Sequence, residues 1–400
     1  MKLWISVLLL CLFTMAQGQT SGQLNIGRVE KLNSSILKEE RKIWIYSPSY
    51  DRPQNANTER YPVLYLLDAE EHFYATVGMI KQMRGRWPEM IVVGITNTSR
   101  SRDLTPTSKN AKGIADANTG GGDQFMNFIE KELMPHIDSL YPSAPYRIFS
   151  GHSLGGLTVV HTLLNKPDLF NAYIAIDPSL WWNNQSLVQQ AKHDFATKKF
   201  TNRSLFVARA KNMPPKMDTL AVLKDNTQYT MLYRSVTEFV NDLRNEKYHE
   251  LRWSTKFYPE ESHGTVQLNG QYDALKFLFS YYQFRTSLLE FNPNLNIDSV
   301  LTAHFKNISQ KLGYKVVPSQ DLVNNLGYTC MSLQKWSKAE FFFKLNIENY
   351  PQDANGYDSM GDYYEAVNNP KAAIENFTKA LTLGNDADTK RKLELLKTKR

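Results

Sequence analysis

The 400-residue chain has only two cysteines, Cys11 and Cys330, and Cys11 lies in an apolar run near the start. If that run is removed, Cys330 has no partner in the chain, which excludes an intramolecular disulfide and a cysteine-held zinc. Long apolar stretches are equally scarce. Trp4 to Phe13 is too short to span a bilayer, and no later segment is apolar enough to do so. With Lys2 before it and Ala16-Gln17-Gly18 after it, this run predicts a signal peptide over 1–18 and an exported protein, periplasmic or secreted. Leu8-Leu9-Leu10 lacks the small residues expected before a lipidated cysteine.

Acidic residues are outnumbered, giving a formal charge of +7. The excess is local: residues 389–400 carry a net +5 and Lys2 one more, so the rest is close to neutral. A basic tail of this kind is expected to be a solvated helix end, and nucleic acid is not an expected partner. No His/Asp/Glu grouping has metal-ligand spacing and no dinucleotide fingerprint occurs. Thr119-Gly120-Gly121-Gly122 lacks the Gly-Lys-Ser/Thr ending of a phosphate cradle and reads as a surface loop. Neither metal nor cofactor is expected.

What the chain does contain is Gly151-His152-Ser153-Leu154-Gly155-Gly156. A strand-like run, Tyr146 to Ser150, precedes it, and Leu157, Val159, Val160, Leu163 and Leu164 follow at helical spacing. This is the context of a nucleophile elbow, a sharp strand-to-helix turn that exposes a serine hydroxyl at its tip. Around it, Tyr61 to Leu67, Met90 to Thr96, Asn171 to Ile176, Ser204 to Ala208 and Leu251 to Tyr258 read as strands. Asp123 opens a helix carrying Phe125, Phe128, Ile129, Leu133 and Ile137 on one face. Ile36 to Tyr46 reads as an early strand pair with Lys38-Glu39-Glu40-Arg41 as its turn. Continuous apolar strands alternating with amphipathic helices predict an α/β-hydrolase sandwich with a mostly parallel sheet over 22–286.

Residues 287–319 show no strong periodicity and read as a linker. A small all-α region is expected over 320–400. Leu326-Gly327 and Met360-Gly361 lie 34 residues apart, and Ala339 and Phe343 match Ala373 and Phe377. That is the period of tetratricopeptide repeats. Two such repeats form either a helical appendage or a shallow surface for a protein partner.

A serine needs a base, and in this fold the order is serine, acid, histidine. Of eight histidines, His72, His136 and His152 precede Ser153, and His161 and His193 follow it too closely. His249 stands before a strand and His304 in the expected linker, leaving His263 directly after the last strand. The acid is sought after the strand Ser204 to Ala208, where Asp218 is favoured slightly over Asp225, with a Ser–His dyad as the alternative. Glu238 and Asp242 read as part of a later helix. Backbone N–H groups of Leu154 and of the Asp68-Ala69-Glu70 loop are the expected oxyanion donors. Asp68 itself reads as a loop-capping carboxylate.

Tyr61-Pro62-Val63-Leu64-Tyr65-Leu66-Leu67-Asp68, Arg102-Asp103-Leu104-Thr105-Pro106-Thr107, the elbow, Asp177-Pro178-Ser179-Leu180-Trp181-Trp182 and Ser262-His263-Gly264 stand in this order. Together they resemble the esterase family of the esterase D and enterochelin-esterase type. The second and fourth segments are most similar to its siderophore-esterase-like branch. The resemblance implies a carboxylic-ester hydrolase with Ser153 as nucleophile and His263 as base, acting on a small-molecule or glycan-linked ester. Two positions depart from the family pattern: Ala69 replaces a glycine, and Asp177 replaces a serine beside the expected acyl pocket. Trp181 and Trp182 are either stacking residues for an aromatic acyl group or core. Acyl transfer to a sugar or lipid hydroxyl uses the same acyl-enzyme, and a secreted binding or scaffold protein that works through the repeat tail is the non-enzymatic alternative.

Overall fold

Strands that are apolar along their length cannot face water on either side, and three inner strands of this chain are of that kind. The computed structural model describes residues 25–51, 59–107, 109, 112, 114, 116–214, 217–287 and 295–398. The expected signal peptide lies outside them. β3 (Tyr61–Leu67), β4 (Ile91–Ile95) and β6 (Ala172–Ile176) are buried throughout. With β1 (Arg28–Ser34), β2 (Glu39–Tyr46), β5 (Ser143–His152), β7 (Ser204–Ala210) and β8 (Arg252–Tyr258) they form one sheet in the order β1-β2-β4-β3-β5-β6-β7-β8. β1 and β2 pair antiparallel, as do β2 and β4, and every later pairing is parallel.

Side chains alternate across the sheet. Val63, Tyr65 and Leu67 join a core built with the helices Leu154–Asn165, Trp182–Thr197 and Met231–Asn245. Leu64 and Leu66 join the opposite core, with the helices Ala69–Gln82 and Val266–Leu278. The parallel strands bring the turns that follow β3, β5, β6, β7 and β8 to one edge of the sheet, where ligands bind in open α/β sheets.

Two expectations need correction. The early strand pair is β1 with β2, and its turn is residues 35–38, closed by Lys38 at φ 58°. The polar stretch read as a turn is the start of β2. Arg41 is 1% exposed there because Asp103 at 2.6 Å and Glu39 at 2.8 Å neutralise it, and its guanidinium lies over the ring of Phe125. A buried charge is tolerable only with such partners.

The second correction concerns 287–319, which holds the helix Ile297–Leu312. Ile297, Leu301, Phe305, Ile308 and Leu312 recur at helical spacing and are buried in the same core as Tyr146, Leu275 and Phe279 of the sheet domain. The His304 ring contacts Phe284 at 5.2 Å, and its Nε2 lies 3.0 Å from the Tyr282 carbonyl.

Beyond it, the helix pairs Gln320–Ser332/Trp336–Asn349 and Ala354–Ala366/Pro370–Leu383 begin 34 residues apart, followed by Ala387–Thr398. A Cβ on Gly327 would lie 2.5 Å from the Phe343 ring, and one on Gly361 would lie 2.5 Å from the Phe377 ring. The same close approach thus recurs in both pairs. Part of the tail's positive charge is matched internally, since Lys392 reaches Asp358 at 2.9 Å and Asp362 at 2.8 Å. Among the described residues no helix is long and apolar enough to cross a membrane.

If Ile297–Leu312 is part of the core, Leu301→Asp lowers unfolding stability by about 3 kcal/mol or more, because it buries an unpaired charge. Denaturant titration measures this as a lower midpoint. An unchanged midpoint is the result a solvated linker would give.

Candidate active site

The elbow is built by backbone that only a crowded turn enforces. Ser153 has φ 60° and ψ −117°, a conformation costly for a residue with a Cβ and persistent only where its surroundings hold it. Its N–H donates to the Ile176 carbonyl, and its carbonyl accepts from the N–H groups of Leu157 and Ser179. The turn closes so tightly that a Cβ on Gly151 would lie 2.4 Å from the Gly155 carbonyl carbon. One on Gly156 would lie 2.9 Å from the Pro178 backbone. Gly155 is less constrained, since its nearest neighbour would be Asp68 Oδ2 at 3.3 Å.

The turn after β8 carries His263 back over the elbow. It is anchored by the Lys211 N–H, which donates to the Glu261 carbonyl, and by Thr265 and Val266 N–H groups on the Ser262 carbonyl. His263 Nε2 lies 3.0 Å from Ser153 Oγ, and its Nδ1 lies 2.6 Å from Asp177 Oδ2. Serine, imidazole and carboxylate therefore form one continuous hydrogen-bonded chain.

Its carboxylate is not one of those expected. Asp218 is exposed and caps the helix Thr219–Lys224, accepting from the N–H groups of Leu220 at 2.9 Å and Ala221 at 2.7 Å. Asp225 accepts from the hydroxyls of Thr227 and Thr230, which hold its carboxyl below the ordinary range. Asp177 instead sits at the tip of β6, between the strands that lead to Ser153 and to Asn212. It is 2% exposed at the side chain. Its Oδ1 accepts from the Ala210 N–H at 3.0 Å, and its Oδ2 accepts from Asn212 Nδ2 at 2.5 Å as well as from His263. The available signal was a carboxylate closing an apolar strand at the same sheet edge as the elbow.

Ala69 and Leu154 both open helices, so neither N–H has an acceptor within its own helix. The left-handed residue before Ala69 is Asp68, at φ 53°, and Ala69 itself starts the helix. Alanine in place of the family's glycine is accommodated for that reason. Asp68 is 2% exposed, held by Arg100 at 2.7 and 3.0 Å and by Asn97 Nδ2 at 2.8 Å.

The two tryptophans separate. Trp182 belongs to the core and donates its indole N–H to Thr107 Oγ1 at 3.2 Å. Trp181 lines a cavity of about 320 Å³ with Lys112, Gln228, Met231 and Leu232. Ser179, two residues before Trp181 in the chain, sets its hydroxyl 3.2 Å from Ser153 Oγ.

Residues 34–248 match the family model described as "Putative esterase", just over half of the chain. The chain belongs to this esterase family. It is an α/β-fold enzyme that hydrolyses ester bonds. The ferri-bacillibactin esterase BesA of Bacillus subtilis is 34% identical over 216 residues, covering 48% of this chain and 73% of that protein. The structure of an IroE-like serine hydrolase from Shewanella oneidensis is 29% identical and superposes with a TM-score of 0.66, covering 80% of this chain and 99% of that one. An uncharacterised protein from Capnocytophaga ochracea shares the fold at 20% identity and a TM-score of 0.59, over 93% of this chain and 99% of its own.

His152 also bears on the geometry of this esterase. Its Nε2 lies 2.7 Å from the His263 carbonyl, and its ring lies 4.6 Å from the His263 ring at a tilt of 38°. Burial, followed by the neighbouring His263, lowers its pKa from 6.5 to about 4, so at neutral pH it is an uncharged donor. Between those values the unfolded chain binds a proton that the folded chain refuses. Stability therefore falls as pH drops across that window and is fully present above it. His152→Gln is expected to flatten the decline of the unfolding temperature between about pH 6.5 and pH 4. An unaltered slope would show that His152 titrates alike in both states.

Proposed function

We propose that the protein is an exported serine esterase that hydrolyses carboxylic esters of the siderophore class through an acyl-enzyme on Ser153. The observation that carries the mechanism is the Ser153–His263–Asp177 chain, at 3.0 and 2.6 Å. Asp177 holds the Nδ1 proton and leaves Nε2 free to accept. As Ser153 Oγ attacks the ester carbonyl, its proton passes to Nε2, and the buried carboxylate stabilises the imidazolium formed. The carbonyl oxygen, now negative, is received by the N–H groups of Leu154 and Ala69. The tetrahedral intermediate collapses when Nε2–H protonates the departing alkoxide, leaving the acyl group on Oγ. Water then repeats the sequence and releases the acid.

The substrate class is supported by the relatives, of which BesA is named as a ferri-bacillibactin esterase. It is also supported by a cavity in which Trp181 offers an aromatic face and Met231 and Leu232 offer apolar walls. An aromatic acyl group fits such a lining. Export rests on the Lys2, Trp4 to Phe13 and Ala16-Gln17-Gly18 pattern. The C-terminal helix pairs, with their 34-residue offset and repeated glycine–phenylalanine contacts, support a tetratricopeptide-like reading of that region.

The assignment separates two carboxylates cleanly. Asp177→Asn leaves the imidazole without its anionic partner and is expected to lower kcat by about 10³–10⁴-fold. Asp218→Asn removes only a helix cap and changes kcat by less than about twofold. Steady-state hydrolysis of p-nitrophenyl esters by the two variants, with Ser153→Ala as the inactive control, measures both. The reverse ranking would reinstate Asp218 as the acid.

A further inference from the structure

Among the described residues, Ser179 is a polar side chain bonded to the nucleophile to which the mechanism above gives no task. It is 2% exposed, and its hydroxyl lies 3.2 Å from Ser153 Oγ. Its N–H also donates to the Ser153 carbonyl at 3.0 Å, which fixes it against the elbow. It belongs to the same tight turn as Asp177, two residues away.

Counting protons gives the direction of this contact. A carboxylate only accepts, so the Nδ1 that faces Asp177 carries the imidazole proton. In the neutral ring Nε2 is then the acceptor, and the Ser153 hydroxyl, with its single hydrogen, donates to it. Ser153 has no second hydrogen. The 3.2 Å contact is therefore a hydrogen bond in which Ser179 O–H donates to a lone pair of Ser153 Oγ.

We infer that Ser179 is a catalytic residue that acts mainly in deacylation, as a second donor to the leaving Ser153 oxygen. This rests on the serine-esterase reading. During acylation Oγ uses a lone pair to form the bond to carbon, so a donor on that oxygen gains nothing as the bond forms. In the acyl-enzyme Oγ is an ester oxygen and a poor acceptor. In deacylation His263 Nε2 takes a proton from water as the water oxygen bonds to the acyl carbon. The C–Oγ bond then breaks, its electron pair returns to Oγ, and Oγ takes the proton from His263 Nε2–H while the carboxylic acid leaves. The Ser179 proton stays on Ser179 throughout. Its bond to Oγ strengthens as charge collects there, and a bond stronger in the transition state than in the ground state accelerates the step. The strand-end turn Asp177-Pro178-Ser179 thus serves both ends of the relay, the carboxylate on the base and the hydroxyl on the nucleophile.

The test is stopped-flow hydrolysis of p-nitrophenyl acetate by the full chain carrying Ser179→Ala or Ser179→Thr. Reaction of each protein with a fluorophosphonate that labels Ser153 serves as the check on an intact elbow. For Ser179→Ala the deacylation rate is expected to fall about tenfold or more. Acylation is expected to change less than about threefold, because its transition state does not strengthen the bond. A burst of p-nitrophenol then grows, and kcat and KM fall together. Ser179→Thr retains the hydroxyl and restores deacylation. Equal loss of both rates, no loss of either, or a labelled Ser179→Thr protein that still deacylates slowly would each overturn the assignment. Failure of the unaltered protein to label at Ser153 would instead remove the serine-esterase reading itself.

Discussion

The site depends on one buried carboxylate being fully hydrogen-bonded and pointed at an imidazole. Asp177 is almost wholly removed from water, and a bare anion there would be expensive. Three donors, the Ala210 N–H, the Asn212 amide and His263 Nδ1–H, take the place of water. Two of them come from the strand end and loop next to β6, and the third comes from the turn after β8. The carboxylate therefore ties neighbouring crossover connections together while it sets the tautomer of the base. Loss of any of these donors would loosen the orientation of His263 before it altered the fold.

The sheet makes this possible. Parallel strands deliver their following turns to a common edge, so residues 33 and 86 positions from Asp177 meet it without any long excursion of the chain. The left-handed Ser153 and Asp68 then aim the first turns of two helices toward the same space. Arg100 and Asn97 hold Asp68 against the base of the elbow. Apolar burial on both faces supplies the rigidity that holds the strained serine in place.

Much of this was legible in the sequence, and the misses have physical causes. Continuous apolar strands announce themselves, which is why β3, β4 and β6 were readable to within a residue or so. The elbow was readable because its glycines and flanking periodicity are local. His263 was reached from chain order alone, and the structure sets its ring against Ser153. Chain order points to an acid after β7, whereas in this chain the end of β6 is already close enough for His263 to reach Asp177. β1 leaves little trace in the sequence because an edge strand with one wet face has a weak pattern. The start of β2 looked like a turn because the partners that neutralise Arg41, such as Asp103, are distant in sequence. The helix Ile297–Leu312 had a readable apolar stripe, but polar residues between the stripe positions masked it.

The most direct measurement is the proton NMR resonance of the His263 Nδ1–H in the folded protein. A hydrogen bond from this group to a buried carboxylate moves its signal far downfield of the amide envelope. The account predicts such a resonance in the unaltered chain, its loss in Asp177→Asn and in His263→Ala, and its retention in Asp218→Asn. A resonance that survived Asp177→Asn and vanished in Asp218→Asn would contradict the Ser153–His263–Asp177 relay.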